Sequence, residues 1–262
     1  MNTQRNIVVH YHLFKNAGTS VDHLLRKNFP DKWHSFDGNS AGDIINTKEL
    51  EGVIAAKAEM LAFSSHQIIP PLPVGDFTVY PIVFLRDPID RIKSAYLFEW
   101  KKQLGLDTPK GSLKQFVERK FSKVRKSSVE EFQVLRLSNT NSDRFSNGGV
   151  SDEELTDKAC AFIESLDFVG IVDRFDESNN LLQNFLRPAF PDFEIHDVQA
   201  NVLQDISISR ERKRQIIREE LGEELFEMIV DRNRLDQKLY QFGKNHFQNL
   251  LNFEQAKIEK TA

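Results

Sequence analysis

Apolar residues recur along this chain with two different periods, and the alternation between them outlines the fold. Ile7, Val8 and Val9 form an unbroken β-branched run, the pattern of a parallel strand buried on both faces, predicted over about 6–12. The segment Leu13-Phe14-Lys15-Asn16-Ala17-Gly18-Thr19-Ser20 follows, and then Val21, Leu24, Leu25 and Phe29 recur at helical spacing. Strand, glycine-containing turn and amphipathic helix in that order predict the opening of a nucleotide-binding α/β unit. After a stretch read as loop, residues 60–66 read as a second strand ending at Ser64-Ser65-His66, and Pro70, Pro71 and Pro73 break regular structure behind it. A third strand is predicted over 79–85. Asp87-Pro88 then starts a helix to about 102, because Asp caps well and Pro at the first helical position loses nothing by lacking an N–H.

The second half has mostly helical spacing, over 112–126, 129–137, 152–165, 176–186, 209–221 and 223–247, with one short strand at 168–172. The polar segment 138–149 ends in two glycines and predicts a mobile loop or lid. No internal repeat or long linker interrupts the pattern. The expectation is an α/β, P-loop-like three-layer domain with a central, mainly parallel sheet, flanking helices and a helix-rich C-terminal half. A single domain, 1–262, would have its core over 6–247 and a tail over 248–262.

Composition narrows the function classes. With 40% hydrophobic and 28% charged residues the chain of 262 residues has ordinary globular make-up. Its 35 Lys+Arg against 39 Asp+Glu, a net charge of −4, speaks against non-specific wrapping of nucleic acid. The single cysteine, Cys160, has no partner for an internal disulfide, and no Cys/His spacing suggests zinc, so no metal is expected. No apolar run approaches the roughly 20 residues that span a bilayer, and residues 1–5 are polar; the expectation is a cytoplasmic protein without a transmembrane segment.

Two segments carry candidate chemistry. A turn between a parallel strand and a helix presents unused N–H groups and the positive end of the helix dipole, which together hold an anion. Lys15 adds a charge there, Thr19 and Ser20 add hydroxyls, and Gly18 allows close backbone approach. The turn is not a Walker A loop: Leu13 stands where its first glycine belongs, and Thr19 follows Gly18 in place of lysine. The second segment runs from Arg86 at a strand end to Ser94 in the next helix, placed so that a guanidinium and a hydroxyl could meet one phosphate. The plain alternative pairs Arg86 with Asp87 or Asp90 and packs Ser94 in the helix.

Together these segments resemble the PAPS-dependent sulfotransferases, in the branch that includes heparan sulfate 2-O-sulfotransferase and bacterial relatives. His12-Leu13-Phe14-Lys15-Asn16-Ala17-Gly18-Thr19-Ser20 is similar to that family's 5′-phosphosulfate loop, with Phe14 where the family usually has Pro. Arg86-Asp87-Pro88-Ile89-Asp90-Arg91-Ile92-Lys93-Ser94-Ala95-Tyr96 resembles its 3′-phosphate motif, every fixed position being filled. Weaker echoes lie at 131–137, 168–176 and 239–242. The resemblance implies PAPS as sulfuryl donor, PAP as product and a hydroxylated acceptor such as an anionic glycan. It implies that Lys15, Asn16, Ala17, Gly18, Thr19 and Ser20 bind the 5′ end, and Arg86 and Ser94 the 3′-phosphate, with Gln133 and Arg136 adding to that end.

Sulfuryl transfer builds negative charge on the bridging oxygen, so Lys15 is expected to stabilise the leaving PAP oxygen. The acceptor hydroxyl must lose a proton, which suits an imidazole. Of seven histidines, His66 stands at a strand's carboxyl end, where open α/β sheets bind ligands, and the resemblance aligns Ser64-Ser65-His66 with the family's base. Glu99 is the rival base. His12 reads as a packed, hydrogen-bonded strand residue, and His10, His23, His34, His196 and His246 as structural. Two other readings stand beside this one: an ATP-dependent P-loop kinase, and a non-catalytic nucleotide- or glycan-binding module.

Three further signals have plainer readings. Lys110, Lys114, Lys120 and Lys123 belong to a basic strip over 110–126, read as a solvated face or an attractor of an acidic acceptor. Arg210, Arg212, Lys213 and Arg214 read as surface, and Trp33 and Trp100 as core or rim packing residues, the alternative being to stack an acceptor ring. Cys160 reads as a small core residue.

Overall fold

The β-branched run lies in β1 (Arg5–Tyr11), the middle strand of a five-stranded sheet. The others are β2 (Trp33–Ser35), β3 (Ala62–Ser65), β4 (Phe77–Leu85) and β5 (Gly170–Ile171). All neighbours are parallel and the order is β2-β3-β1-β4-β5. The structure, a computed structural model, describes residues 4–40, 42–100, 105–106, 109–122, 128–139, 149–196 and 208–261. Ile7, Val8 and Val9 are fully buried, as a strand covered on both faces requires. The chain fills one side of β1 with β3 and β2 and the other with β4 and β5, so its topological switch point lies at the carboxyl end of β1, where open α/β sheets bind ligands.

The helices are α1 (Gly18–Asn28), α2 (Thr47–Ala56), α3 (Pro88–Phe98), α4 (Leu113–Phe121), α5 (Phe132–Leu137), α6 (Asp152–Glu164), α7 (Phe175–Leu186), α8 (Arg210–Leu221), α9 (Glu223–Asp231) and α10 (Arg234–Thr261). One buried cluster joins the sheet to α1, α2, α5, α6, α7 and α10, and a second joins α3, α4, α8 and α9. The three-layer α/β expectation is met. Among the described residues no helix is long and apolar enough to cross a membrane.

Two elements escaped the apolar pattern. β2 is too short to show a period of two. α2 is announced by a capping box instead: Asn46 Oδ1 accepts the Glu49 N–H at 3.1 Å, and the Glu49 carboxylate accepts the Asn46 N–H at 2.9 Å. The helix read over 223–247 is in fact two, and α10 runs on through the stretch read as a tail. Tertiary capping makes the break. Glu131 accepts the Leu235 and Asp236 N–H groups at 3.1 and 2.8 Å, while Asp236 accepts those of Gln133 and Val134 at 3.1 and 2.7 Å. α5 and α10 thus exchange carboxylates at their N-termini, where four amides of each helix would otherwise lack acceptors. This exchange holds Gln133 and Arg136, both on α5, beneath the carboxyl edge of the sheet.

The basic segment Arg210 to Arg214 is not a surface feature as expected. Asp87, fully buried, caps α3 by accepting the Ile89 and Asp90 N–H groups, and its second oxygen accepts from Arg210 Nε at 2.6 Å and Arg214 Nη1 at 3.1 Å. Lys213 is also buried, and only Arg212 is well exposed. A buried carboxylate demands cations, and α8 supplies them. Burial opposes ionisation of Asp87, but the Arg214 and Arg210 charges outweigh it and lower its pKa.

Candidate active site

Residues 12–17 leave β1 and enter α1 in a tight turn. Lys15 and Ala17 both take left-handed backbone conformations, with φ of 65° and 62°. Ser20 and Val21 donate their N–H groups to Ala17 O, which leaves the Gly18 and Thr19 amides at the helix start without a protein acceptor among the described residues. Thr19 is exposed and Ser20 half-buried in the first turn of α1. The Lys15 ammonium lies over the Phe98 ring, 4.6 Å from its centre. A positive helix end with unused amides, two hydroxyls and a nearby ammonium is a set of groups suited to an anion.

Gly18 is required by a neighbour inside the protein as well. A Cβ built on it would lie 2.0 Å from His12 Cδ2 and 2.2 Å from His12 Nε2, so the imidazole fills the space a side chain would take. The glycine read as allowing a ligand to approach allows this ring to approach. Asn16 is turned inward: its Nδ2 donates to Phe84 O and to Gln133 Oε1, each at 2.7 Å. Gln133 Oε1 also accepts the Arg86 N–H, and Gln133 Nε2 donates to Arg86 O, both at 3.0 Å. Gln133 therefore ties the β1 turn to the end of β4, and its side chain is spent on that task.

Arg86 is only 6% exposed. Its Nε and Nη2 both meet Asp90 Oδ2 at 2.7 Å, and Nη1 donates to Lys15 O at 3.2 Å. Of the two pairings left open by the sequence, Asp90 is the one formed. Ser94 sits half-buried two helical turns along α3. Arg91 is fully buried, donates to Ser128 O at 2.8 Å and packs on Phe132, which makes it a structural cation.

His66 follows β3 directly, beside the β1 turn, because Tyr11 pairs with Ser65 and the His12 N–H donates to Ser65 O at 3.0 Å. Its side chain is 45% exposed. Asp37, which follows β2, accepts the His66 N–H at 2.9 Å and the Ser65 hydroxyl at 2.7 Å through Oδ1, and its Oδ2 lies 3.1 Å from His66 Nδ1. Burial works against ionisation of Asp37, but these bonds from His66 and Ser65 prevail and lower its pKa. An ionised carboxylate only accepts, so Nδ1 carries the proton and Nε2 the lone pair of a neutral ring. Arg136, buried, donates from Nη2 to His66 O at 2.6 Å and fixes the main chain on the other side.

Asp22 organises the remaining polar groups. Its Oδ1 lies 2.8 Å from His10 Nδ1 and accepts from Ser64 Oγ at 2.5 Å; its Oδ2 lies 2.9 Å from His12 Nδ1. Despite burial, bonds from His10 and His12 hold its carboxyl far below the usual carboxylate range, so both imidazoles donate through Nδ1. His10, His12 and Asp22 do bring one ligand atom each within 4.8 Å of one another, but N–H and O–H donors engage both carboxylate oxygens. The His12 ring lies 3.8 Å from the His66 ring and 5.1 Å from the His10 ring, centre to centre.

No sequence pattern marks Asp37 or Asp22. Asp37 lies in a loop without a motif, and only the fold brings it to His66. His10 and His12, at i and i+2, share one face of β1, and that spacing was the available signal. The rival base Glu99 is ion-paired with Arg119 and, at 3.0 Å, with Lys120; burial notwithstanding, both cations keep its pKa low. Lys120 is thereby engaged, while residues 123–127 of the basic strip and 140–148 of the polar loop lie outside the described residues. Trp33 is half-buried under the Arg26 guanidinium, Trp100 packs on the second apolar cluster, and the half-buried Cys160 thiol is pushed up to about 11 by burial and by Asp157 and Glu164.

No protein-family model matches the chain. A protein of Archaeoglobus fulgidus, described as an uncharacterized protein, is 30% identical over 248 residues, which cover 90% of this chain and 95% of that protein. Identity at that level over nearly the whole of both chains leaves little room for unrelated folds, and the chain belongs to the same family as this archaeal protein.

Proposed function

We propose that this protein is a sulfotransferase that moves a sulfuryl group from PAPS to an acceptor hydroxyl. The observation that supports it best is the meeting, at one strand edge, of an anion-suited turn bearing Lys15 and a histidine backed by a carboxylate, His66 on Asp37. Groups for leaving-oxygen stabilisation and for proton removal are then present together.

The groups around the turn fit the activated end of such a donor. Lys15, the Gly18 and Thr19 amides and the Thr19 and Ser20 hydroxyls would hold the 5′ end, while Arg86 and Ser94 are proposed for the 3′-phosphate. PAPS supplies the sulfuryl group: the new bond forms between sulfur and the acceptor oxygen while the bond to the 5′-phosphate oxygen breaks and PAP departs. His66 Nε2 takes the acceptor's proton. Asp37 keeps Nδ1–H engaged and so keeps Nε2 as the accepting atom. Lys15 and the turn amides face charge that grows as the old S–O bond lengthens, and they stabilise that state more than the ground state. The sulfuryl group carries less charge than a γ-phosphoryl group, and the reading calls for no metal.

An ATP-dependent kinase and a non-catalytic binding module are the competing readings. A thermal-shift comparison of adenosine 3′,5′-bisphosphate with ATP–Mg²⁺ separates the nucleotide classes, with stabilisation by the bisphosphate expected. Transfer of radiolabelled sulfate from PAPS to a panel of hydroxylated acceptors, anionic glycans included, tests turnover. Stabilisation by ATP–Mg²⁺ alone would overturn the reading.

A further inference from the structure

His12 lies between two parts of the site that the reaction uses separately. One edge of its ring fills the side-chain space of Gly18 in the anion turn, and the ring lies against that of His66, 3.8 Å between centres and tilted by 30°. It is 7% exposed, whereas the His66 side chain is 45% exposed. An exposed imidazole held at one nitrogen can still swing about that bond. A buried ring lying against it removes this freedom, because rotation would break the packing.

We propose that His12 is a positioning residue for His66: its ring, fixed in tautomer by Asp22, is the platform on which the His66 imidazole is held with Nε2 open to the acceptor. The inference rests on the reading of His66 as the base. The groups that face each ring agree with it. His12 is faced by Asp22 from α1, His10 from β1 and His66 beyond β3; His66 is faced by Asp37 at Nδ1, and by Arg136 from α5 at its main chain. Burial, more than its charged neighbours, lowers the His12 pKa to about 4, so the platform is neutral where the base works. A neutral ring face tolerates the imidazolium formed at His66; a second cation there would repel it. His12 is therefore built to stay uncharged while His66 cycles.

The test compares two replacements. His12→Asn keeps a donor toward Asp22 and removes the ring; His12→Phe keeps a ring and removes the donor. Nitrogen-15 NMR of histidine-labelled protein reads the His66 tautomer from its shifts and the order of its ring from relaxation, without any turnover. Wild-type protein should show His66 in the Nδ1–H form, ring-to-ring Overhauser contacts with His12, and His12 neutral from pH 5.5 to 8. In His12→Asn the His66 ring should keep Nδ1–H on Asp37 but lose its fixed plane, seen as faster ring motion in nitrogen-15 relaxation, and kcat should fall about tenfold with donor KM unchanged, the pattern of lost positioning. His12→Phe should recover part of both readouts. Unchanged His66 ring order in His12→Asn would overturn the proposal. If the variants do not fold, absence of the Overhauser contacts, or a charged His12 near neutral pH, in the wild type would do so. Lack of sulfuryl transfer by wild-type protein would instead remove the reading of the reaction and leave the NMR result standing.

Discussion

Arg86 Nη1 donates a 3.2 Å hydrogen bond to the main-chain oxygen of Lys15. The strand-end arginine and the turn lysine, 71 positions apart in the chain, are thus one local structure. The bond ties β4 to the turn after β1, with Gln133 closing the same junction from α5. The two candidate anchors are therefore held at one place, the switch point of the sheet.

Replacing Lys15 with alanine should abolish most transfer with little effect on the fold. The ammonium is half-buried and stacks on Phe98, so the thermal midpoint should move by under about 2 °C. Loss of one stabilising donor at a developing charge corresponds to about 10²–10³-fold in kcat. Unaltered turnover in a radiolabelled-sulfate assay would remove Lys15 from its assigned task.

Asp37→Asn tests the carboxylate behind the base. The amide fills the same space, yet it can offer an N–H where His66 Nδ1 requires an acceptor. We expect kcat to fall by at least about tenfold while the affinity for adenosine 3′,5′-bisphosphate, measured by calorimetry, stays within a factor of about two. Weakened nucleotide binding with kcat intact would be the contrary result.

Gly18→Ala should reveal the packing of the turn on His12. A methyl group 2.0 Å from the imidazole cannot be accommodated without moving the ring or the start of α1. The expected cost is about 1–3 kcal/mol in urea unfolding, the usual range for overpacking. In a His12→Ala background the methyl has room, so a double-mutant cycle should show coupling above about 0.5 kcal/mol. Simple additivity would contradict the packing.

Stability should fall with acid through His12. The folded protein holds this imidazole neutral down to about pH 4, whereas the unfolded chain takes up a proton near pH 6.5. The unfolded state therefore binds more protons between those values, and the contribution is whole above pH 6.5 and lost as pH falls toward 4. From pH 7.5 to 5 the expected loss from this group is about 2 kcal/mol. Urea titrations of wild type and His12→Asn at the two pH values check it, since the variant should lack that component.

Asp236→Ala should be among the most damaging single changes. It uncaps the first turn of α5 and removes the carboxylate 3.9 Å from the fully buried Arg91 guanidinium. Breaking a buried pair from one side costs about 3–5 kcal/mol. Chemical denaturation measures it, and a loss under about 1 kcal/mol would show that the pair is not structural.

Much of the fold was legible because burial leaves a periodic record. β1, β4 and α3 emerged within a few residues of their true bounds, since Ile7 to Val9 and Ile82 to Leu85 are covered on both faces and Asp87-Pro88 carries its own start signal. β2 and α2 leave no apolar period, so the sequence pattern shows only loop there. The break between α9 and α10 was invisible, because the carboxylate that caps α10 belongs to Glu131, about a hundred residues earlier.

The candidate site divides in the same way. Lys15, Gly18, Thr19 and His66 could be named from the chain because each follows a strand end or starts a helix, and local geometry alone makes such places apt for ligands. The partners that define what those residues can do come from elsewhere. Asp37 reaches His66 only when β2 and β3 pair, Asp22 reaches two histidines only when α1 lies against β1, and Asp90, not Asp87, holds Arg86. Sequence determined which short-range elements form and what chemical groups stand at their ends, since propensity, capping and burial act over a few residues. Tertiary structure alone decided which carboxylate orients which imidazole, because a hydrogen bond extends about 3 Å and depends on contacts between residues far apart in the chain.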